Sequence, residues 1–232
     1  MYNDRMPADS HQIRVCNSCG LRYPLVDVET FGIRCPVCLG ETRVTLRVSR
    51  KLVTEPRRAP PESLHREDPE NAKNSKEERI KEERRELAVL LDNIRSAWNV
   101  GSILRSAEGF GFSHAYLCGI TPTPENNTVQ KTSLGAQESV TWSYHKDALK
   151  LVSDLKKEGH RIVALEEENR AVEVSQIGLP TNQTVLIVGN EVTGVDPELL
   201  DLCDTTYYIP MRGQKSSFNV AIAFGIAAYA LR

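Results

Sequence analysis

From Leu87 to Leu231 the chain alternates short runs of branched apolar residues with longer amphipathic segments, and this alternation restricts the fold more than any other feature. The apolar runs are Leu87 to Leu91, Ala115 to Cys118, Val140 to Trp142, Arg161 to Leu165, Val185 to Val188 and Tyr207 to Ile209. Helical patterns lie between or after them at Val100 to Phe110, Lys146 to Glu158, Pro197 to Leu202 and Ser217 to Leu231. Strands linked by helices cross over and run parallel, and a parallel sheet is covered on both faces. The expected class is α/β: a mostly parallel sheet with helices on both faces. Such sheets place their ligands outside the carboxyl ends of the strands. The segment Val185-Leu186-Ile187-Val188 running straight into Gly189-Asn190-Glu191 therefore marks a candidate site.

Ahead of this region stand two cysteine pairs, Cys16-Asn17-Ser18-Cys19-Gly20 and Cys35-Pro36-Val37-Cys38-Leu39-Gly40, with fifteen residues between them. Two thiolates three apart in a tight turn aim at one ion, and two such pairs give the four-sulfur set of a zinc ribbon. Four thiolates leave no open position for water, so the expected role is structural. Iron with the same ligands is the alternative the spacing leaves open, whereas a redox Cys-x-x-Cys needs one pair only. Cys118 and Cys203 lie far from both pairs and are expected to be packing residues.

The 232 residues carry a net charge of −2, which gives no overall attraction to polyanions, but the charge is unevenly spread. Residues 1–60 hold ten Lys/Arg against six Asp/Glu. Arg43, Arg47, Arg50, Lys51, Arg57 and Arg58 face only Glu55, a basic strip suited to phosphates. Tyr23 and Phe31 beside it are candidate stacking residues. Three regions follow: residues 1–53 as the ribbon, 54–86 as a proline-rich linker and charged helix, and 87–232 as the α/β domain. The start lacks an apolar leader core, and no apolar run reaches the ~18 residues of a membrane span. The expected location is cytoplasmic, with no membrane partner.

On the helix from Val100 to Phe110, Val100, Ile103, Leu104, Ala107 and Phe110 share one face, so Arg105 projects away from the core. Asn99 and Gly101 open that helix, where backbone N–H groups favour anions, and Arg105 adds a planar bidentate donor. Glu191 reads either as a loop carboxylate bonded to backbone N–H groups or as a reacting group. Ser217 reads as a cap of the last helix and Asn219 as a first-turn residue, or both as site residues. His114, His145 and His160 show no metal spacing and are expected at the surface. The last helix, from Val220 to Leu231, is apolar on nearly every side and calls for more than one covering surface.

Asn99-Val100-Gly101-Ser102-Ile103-Leu104-Arg105-Ser106-Ala107, Ile187-Val188-Gly189-Asn190-Glu191 with Gly194, and Ile209-Pro210-Met211 running to Ser217-Phe218-Asn219-Val220 resemble the three ordered motifs of the SpoU/TrmH branch of the SPOUT RNA methyltransferases. Lys131 to Ala136 resembles a further family segment near the cofactor. The resemblance implies a knotted sheet, S-adenosylmethionine as methyl donor, a ribose 2′-hydroxyl of structured RNA (tRNA or rRNA) as acceptor, and a homodimer through the C-terminal helix. It implies that Gly189, Asn190, Ile209, Met211 and Phe218 hold the cofactor, and that Asn99, Arg105, Glu191, Ser217 and Asn219 line the reaction site. Phe218 stands where the family often has leucine, and Ser96-Ala97 where it often has Asp-Pro. Guanidinium hardly deprotonates in proteins, so Arg105 is expected to clamp phosphate and stabilise the developing alkoxide, with phosphate or Glu191 accepting the proton. A non-catalytic zinc-ribbon adaptor that binds RNA or protein is the reading from another class. A dinucleotide-binding dehydrogenase is disfavoured by the missing G-x-G-x-x-G turn.

Overall fold

A computed structural model describes residues 10–26, 34–49, 86–178, 180 and 183–231. The expected linker and charged helix lie outside the described residues except for Glu86, as do Phe31, Arg50, Lys51, Arg57 and Arg58. In the cysteine module, β1 (Ser10–Cys16), β2 (Arg22–Leu25) and β3 (Thr42–Ser49) form an antiparallel sheet in the order β2-β1-β3.

The larger domain has β4 (Leu87–Asp92), β5 (Phe112–Cys118), β6 (Thr141–His145), β7 (Arg161–Leu165), β8 (Val172–Glu173), β9 (Thr184–Val188) and β10 (Thr205–Tyr208). They pair in the order β6-β5-β4-β9-β7-β10-β8, with every neighbouring pair parallel. Its helices are α1 (Ala97–Gly109), α2 (Asn127–Ser133), α3 (Ala136–Ser139), α4 (Ala148–Lys157), α5 (Pro197–Leu202) and α6 (Val220–Leu231). The α/β expectation holds.

Side chains alternate across each strand, so one run of sequence feeds two cores. Leu87, Val89, Leu91, Leu186 and Val188 face the layer containing Ile103, Leu104 and Phe224. Ala88, Leu90, Val185 and Ile187 face Val152, Leu155 and Leu199 on the other side. Phe224 is fully buried and meets Phe112 edge to face at 5.2 Å. Each fully buried side chain of this size contributes about 1.5–3 kcal/mol through burial.

Helix starts follow from short polar caps. Ser96 accepts the Asn99 N–H, Asp147 accepts those of Leu149 and Lys150, and Asp196 accepts that of Glu198 just before Pro197. The helix α2 escapes the periodicity reading because it spans only about two turns and is rich in polar residues. Its available signals are the Asn126 cap and the left-handed stop at Leu134 (φ 51°) and Gly135 (φ 91°). On α6, Phe224, Ala227, Ala228 and Leu231 are buried, whereas Ile222 is 56% and Tyr229 59% exposed. Among the described residues the last helix is thus covered on one side. Among the described residues no helix is long and apolar enough to cross a membrane.

Two expectations fail. Tyr23 is 3% exposed in the core of the cysteine module, its hydroxyl donating to Arg34 O, so it has no face for a base to stack on. The histidines are half-buried rather than superficial. His114 Nδ1 pairs with Thr141 Oγ1 at 2.7 Å and Nε2 with Ser143 Oγ at 2.9 Å, while His145 Nε2 meets the same Ser143 hydroxyl at 2.8 Å. Burial, with a smaller push from His145, lowers the pKa of His114.

Candidate active site

The carboxyl edge of β9 delivers Gly189, Asn190 and Glu191 into a loop that folds back on itself. Asn190 N–H donates to Gly194 O at 3.1 Å and Gly194 N–H to Asn190 O at 2.9 Å. Gly189 is needed because a Cβ there would stand 2.2 Å from Val195 N. Buried Asn190 fixes the loop from within: its Nδ2 donates to Asn93 O at 2.7 Å, and its Oδ1 accepts from Val192 N–H and Thr193 N–H.

Glu191 at the tip reaches the start of α1. Its Oε2 accepts Arg95 N–H at 2.9 Å, and its Oε1 accepts Ser96 N–H at 3.0 Å and Asn99 Nδ2 at 2.9 Å. Burial alone would raise its pKa, but the donors at Arg95, Asn99 and Ser96 prevail and hold it below the usual carboxylate range. A carboxylate so engaged is a weak base. The geometry makes Glu191 a clamp between the β9 loop and α1.

Asn99 carries the connection onward. Its Oδ1 accepts Asn219 Nδ2 at 3.0 Å, and Asn219 Oδ1 in turn accepts Ala221 N–H at 2.9 Å as the cap of α6. The cap is therefore Asn219 and not Ser217, which is exposed two residues earlier. Glu191, Asn99 and Asn219, ninety-two and one hundred and twenty residues apart in successive pairs, form one hydrogen-bonded chain.

Arg105 is exposed and makes no hydrogen bond or ion pair among the described residues. Six residues beyond Asn99, it stands about 9 Å farther along α1, on the stripe that also carries Ser102 and the 66%-exposed Trp98. The structure joins Asn99, Glu191 and Asn219 directly and leaves Arg105 outside that set of hydrogen bonds. Ile209 and Met211 are half-buried just past β10, and Phe218 is 41% exposed. Asp92, Asn93 and Ser96 brace the site, a role that the sequence does not assign to them. Asn93 had a signal in its place directly after a strand, where it adopts φ 56°.

In the cysteine module the sulfurs of Cys16, Cys19, Cys35 and Cys38 lie within 4.8 Å of one another, with Cys16 and Cys38 3.5 Å apart and Cys19 and Cys35 3.6 Å apart. A tetrahedral ion with ~2.3 Å bonds to sulfur sets its ligands ~3.8 Å apart, so the cluster fits a four-thiolate metal. The backbone N–H of Cys19, ahead of that of Ser18, draws the Cys16 thiol down to about 6, favouring the thiolate a metal requires.

A wholly parallel α/β domain with three loop segments joined at the carboxyl edge of the sheet, and a four-cysteine module packed against it, defines a class of ligand-binding α/β domains rather than a single reaction. The chain belongs to the SpoU rRNA Methylase family, whose model matches residues 86–229. It is 28% identical over 158 residues to the tRNA (guanosine(18)-2′-O)-methyltransferase of Aquifex aeolicus, covering 65% of this chain and 70% of that one. It is 31% identical over 146 residues to the 23S rRNA (guanosine(2553)-2′-O)-methyltransferase RlmP of Bacillus subtilis, covering 62% and 57%. Among solved structures, the SpoU methyltransferase AviRb from Streptomyces viridochromogenes in complex with AdoMet aligns with TM-score 0.59 and 27% identity, over 66% of this chain and 62% of that one. An AdoMet-bound rRNA methyltransferase from Sinorhizobium meliloti aligns with TM-score 0.60 and 27% identity, over 63% and 56%. The chain thus spans less than two thirds of several of its relatives, and the matches centre on the α/β domain.

Proposed function

We propose that this protein transfers a methyl group from S-adenosylmethionine to a ribose 2′-hydroxyl of structured RNA, tRNA or rRNA, as a homodimer with the knotted sheet of its family and a structural zinc ion on the four cysteines. The observation that carries the reading is the hydrogen-bonded chain from Glu191 through Asn99 to Asn219, which unites the three family motifs.

When bound, S-adenosylmethionine supplies an electrophilic methyl group on sulfur. Gly189 and Asn190, with the segment from Ile209 to Met211 and Phe218, would hold it: backbone amides for its polar edges, half-buried apolar side chains for its ring. Transfer to a hydroxyl is an in-line displacement, so the chain's contribution is alignment and charge stabilisation. Glu191 fixes the start of α1, Asn99 and Asn219 present amide groups toward the reacting sugar, and Ser217 lies on the adjoining loop. Arg105, unpaired among the described residues, clamps a phosphate and stabilises the developing alkoxide. Because the Glu191 carboxylate already accepts three hydrogen bonds, the proton passes to substrate phosphate or water.

The exposed face of α6 with Ile222 and Tyr229 is the surface for a second subunit. The ribbon is assigned to residues 1–53, and Arg43 and Arg47, exposed on β3, favour a role in gripping RNA. Labelled donor, purified protein and total RNA, followed by mapping of the product, test the proposal: methyl groups on ribose of defined RNA positions are expected. Donor binding without transfer to any RNA would defeat it. Deleting residues 1–60 is expected to weaken RNA binding, and unchanged site choice would remove the recognition role.

A further inference from the structure

Arg22 opens β2 three residues after Cys19, yet the larger domain holds most of it. Its Nε donates to Asp196 Oδ2 at 2.6 Å, its Nη2 pairs with Glu198, and its Nη1 donates to Thr45 Oγ1 at 3.2 Å. The Arg22 side chain is 7% exposed and that of Asp196 5%. The backbone is seated as well. Arg22 N–H donates to Lys146 O at 3.1 Å, and a Cβ at Gly119 would stand 2.9 Å from Arg22 O. Ile120 packs on the cysteine core.

Asp196 ends the same loop that carries Glu191. Its N–H donates to Asp92 Oδ2 at 3.1 Å, and Asp92 Oδ1 accepts Asn93 Nδ2 at 2.8 Å. Asn93 O receives Asn190, at the loop's other end. Two buried carboxylates therefore brace the loop, and Arg22 is the ion-pair partner of Asp196 among the described residues. Removing that cation leaves a buried charge uncompensated, which costs far more than the pair gains. The path from sulfur to guanidinium is short. Cys16 N–H donates to Leu21 O at 2.9 Å and Gly20 N–H to Cys16 O at 3.1 Å, so the turn that presents Cys16 and Cys19 also sets the position of Arg22. Without a metal the turn of Cys16 and Cys19 loses the ion that ties it to Cys38 and Cys35, whose sulfurs lie 3.5 Å and 3.6 Å away.

We propose that Arg22 is a positioning residue through which metal occupancy of the cysteine module holds the 190–196 loop, and with it Glu191 and Asn99, in working geometry. The consequence for methyl transfer rests on the proposed function, but the state of the loop does not, and the two are read separately.

The test is hydrogen exchange on the full-length, metal-loaded protein without donor or RNA, for wild type, Arg22→Ala, and Arg22→Ala combined with Asp196→Asn. Asparagine keeps the α5 cap and removes the orphan charge. Arg22→Ala is expected to retain its metal and the protection of β4, β5 and β9, while amides of 190–196 exchange at least ~10-fold faster. The double variant is expected to return to within ~3-fold of wild type, a rescue that a purely packing role would not give. Chelating the metal from wild type is expected to speed the same amides, and chelation of Arg22→Ala to add little. Loop exchange unchanged within ~2-fold in Arg22→Ala, or absence of rescue in the double variant, overturns the proposal. Should Arg22→Ala not fold, wild type decides: chelation that leaves 190–196 protected overturns it, and selective loosening upholds it. A loosened loop with unaltered S-adenosylmethionine affinity by calorimetry would uphold the brace and reject the loop's assignment to the donor site.

Discussion

Replacing Glu191 by glutamine changes one oxygen to an NH2 group and separates a clamp from a base. Both carboxylate oxygens accept, Oε1 from Ser96 N–H and Asn99 Nδ2 and Oε2 from Arg95 N–H. Whichever way the amide turns, its NH2 faces a donor, so at least one bond is lost and a donor–donor contact appears. A hydrogen bond to a charged group is worth about 1.5–3 kcal/mol, and water partly replaces it at this exposed loop, so about 1–2 kcal/mol of stability is expected to go. For a chain of this size that lowers Tm by about 2–8 °C in a calorimetric scan. Asn99 loses its anchor, and displacement of a positioning group by about an ångström lowers kcat/KM by roughly 10- to 100-fold. The pH dependence has a defined sign. A carboxylate held below its unfolded value of about 4.3 contributes its stability above that value and loses it as pH falls through the lower folded value, so the gap between wild type and Glu191→Gln closes below about pH 4. An unchanged Tm with a rate fall beyond roughly 1,000-fold and loss of a pH–rate limb would refute the clamp and make Glu191 the proton acceptor.

Burial, and next the charge of Asp196, raise Asp92 from 3.8 to about 7. Because its folded value is raised, the charged form is the destabilised one, and stability is expected to decline between about pH 4 and 7 by up to roughly 4 kcal/mol, read from urea midpoints across that range. Arg105→Ala is expected to leave Tm within about 1–2 °C, since the side chain is exposed and unpaired, while abolishing methyl transfer; Arg105→Lys recovering nearly full activity would argue against bidentate positioning. Cys35→Ser is expected to remove the bound metal, measured by elemental analysis, and to unfold the β1 to β3 sheet while the α/β domain persists by circular dichroism. Phe224→Ala empties a fully buried site against Phe112 and is expected to cost about 3–5 kcal/mol in denaturant unfolding.

Much of the fold was readable because burial leaves a periodic trace. The face of α1 named from spacing is the buried one, with Val100, Ile103, Leu104 and Ala107 inside and Phe110 against the core. The run from Arg161 to Leu165 is β7 to the residue, and Pro197 to Leu202 is α5, because a cap followed by proline marks a helix start unambiguously. Weak periodicity hid α2 and the two-residue strand β8. Tyr23 misled because an aromatic residue beside a basic strip reads the same whether it faces a base or a core.

The cysteine spacing, the strand–helix alternation and the three motif segments are local properties, and local chemistry alone determined a metal-capable module, a parallel α/β domain and membership of its family. Tertiary structure decided what those segments do to one another. Only folding places Glu191 against the start of α1, makes Asn219 the cap that reaches Asn99, and brings Arg22 across 174 positions to Asp196. These bonds depend on strand order and crossover paths, which set which loops share the sheet's carboxyl edge. A residue's own neighbours in sequence carry no record of that choice.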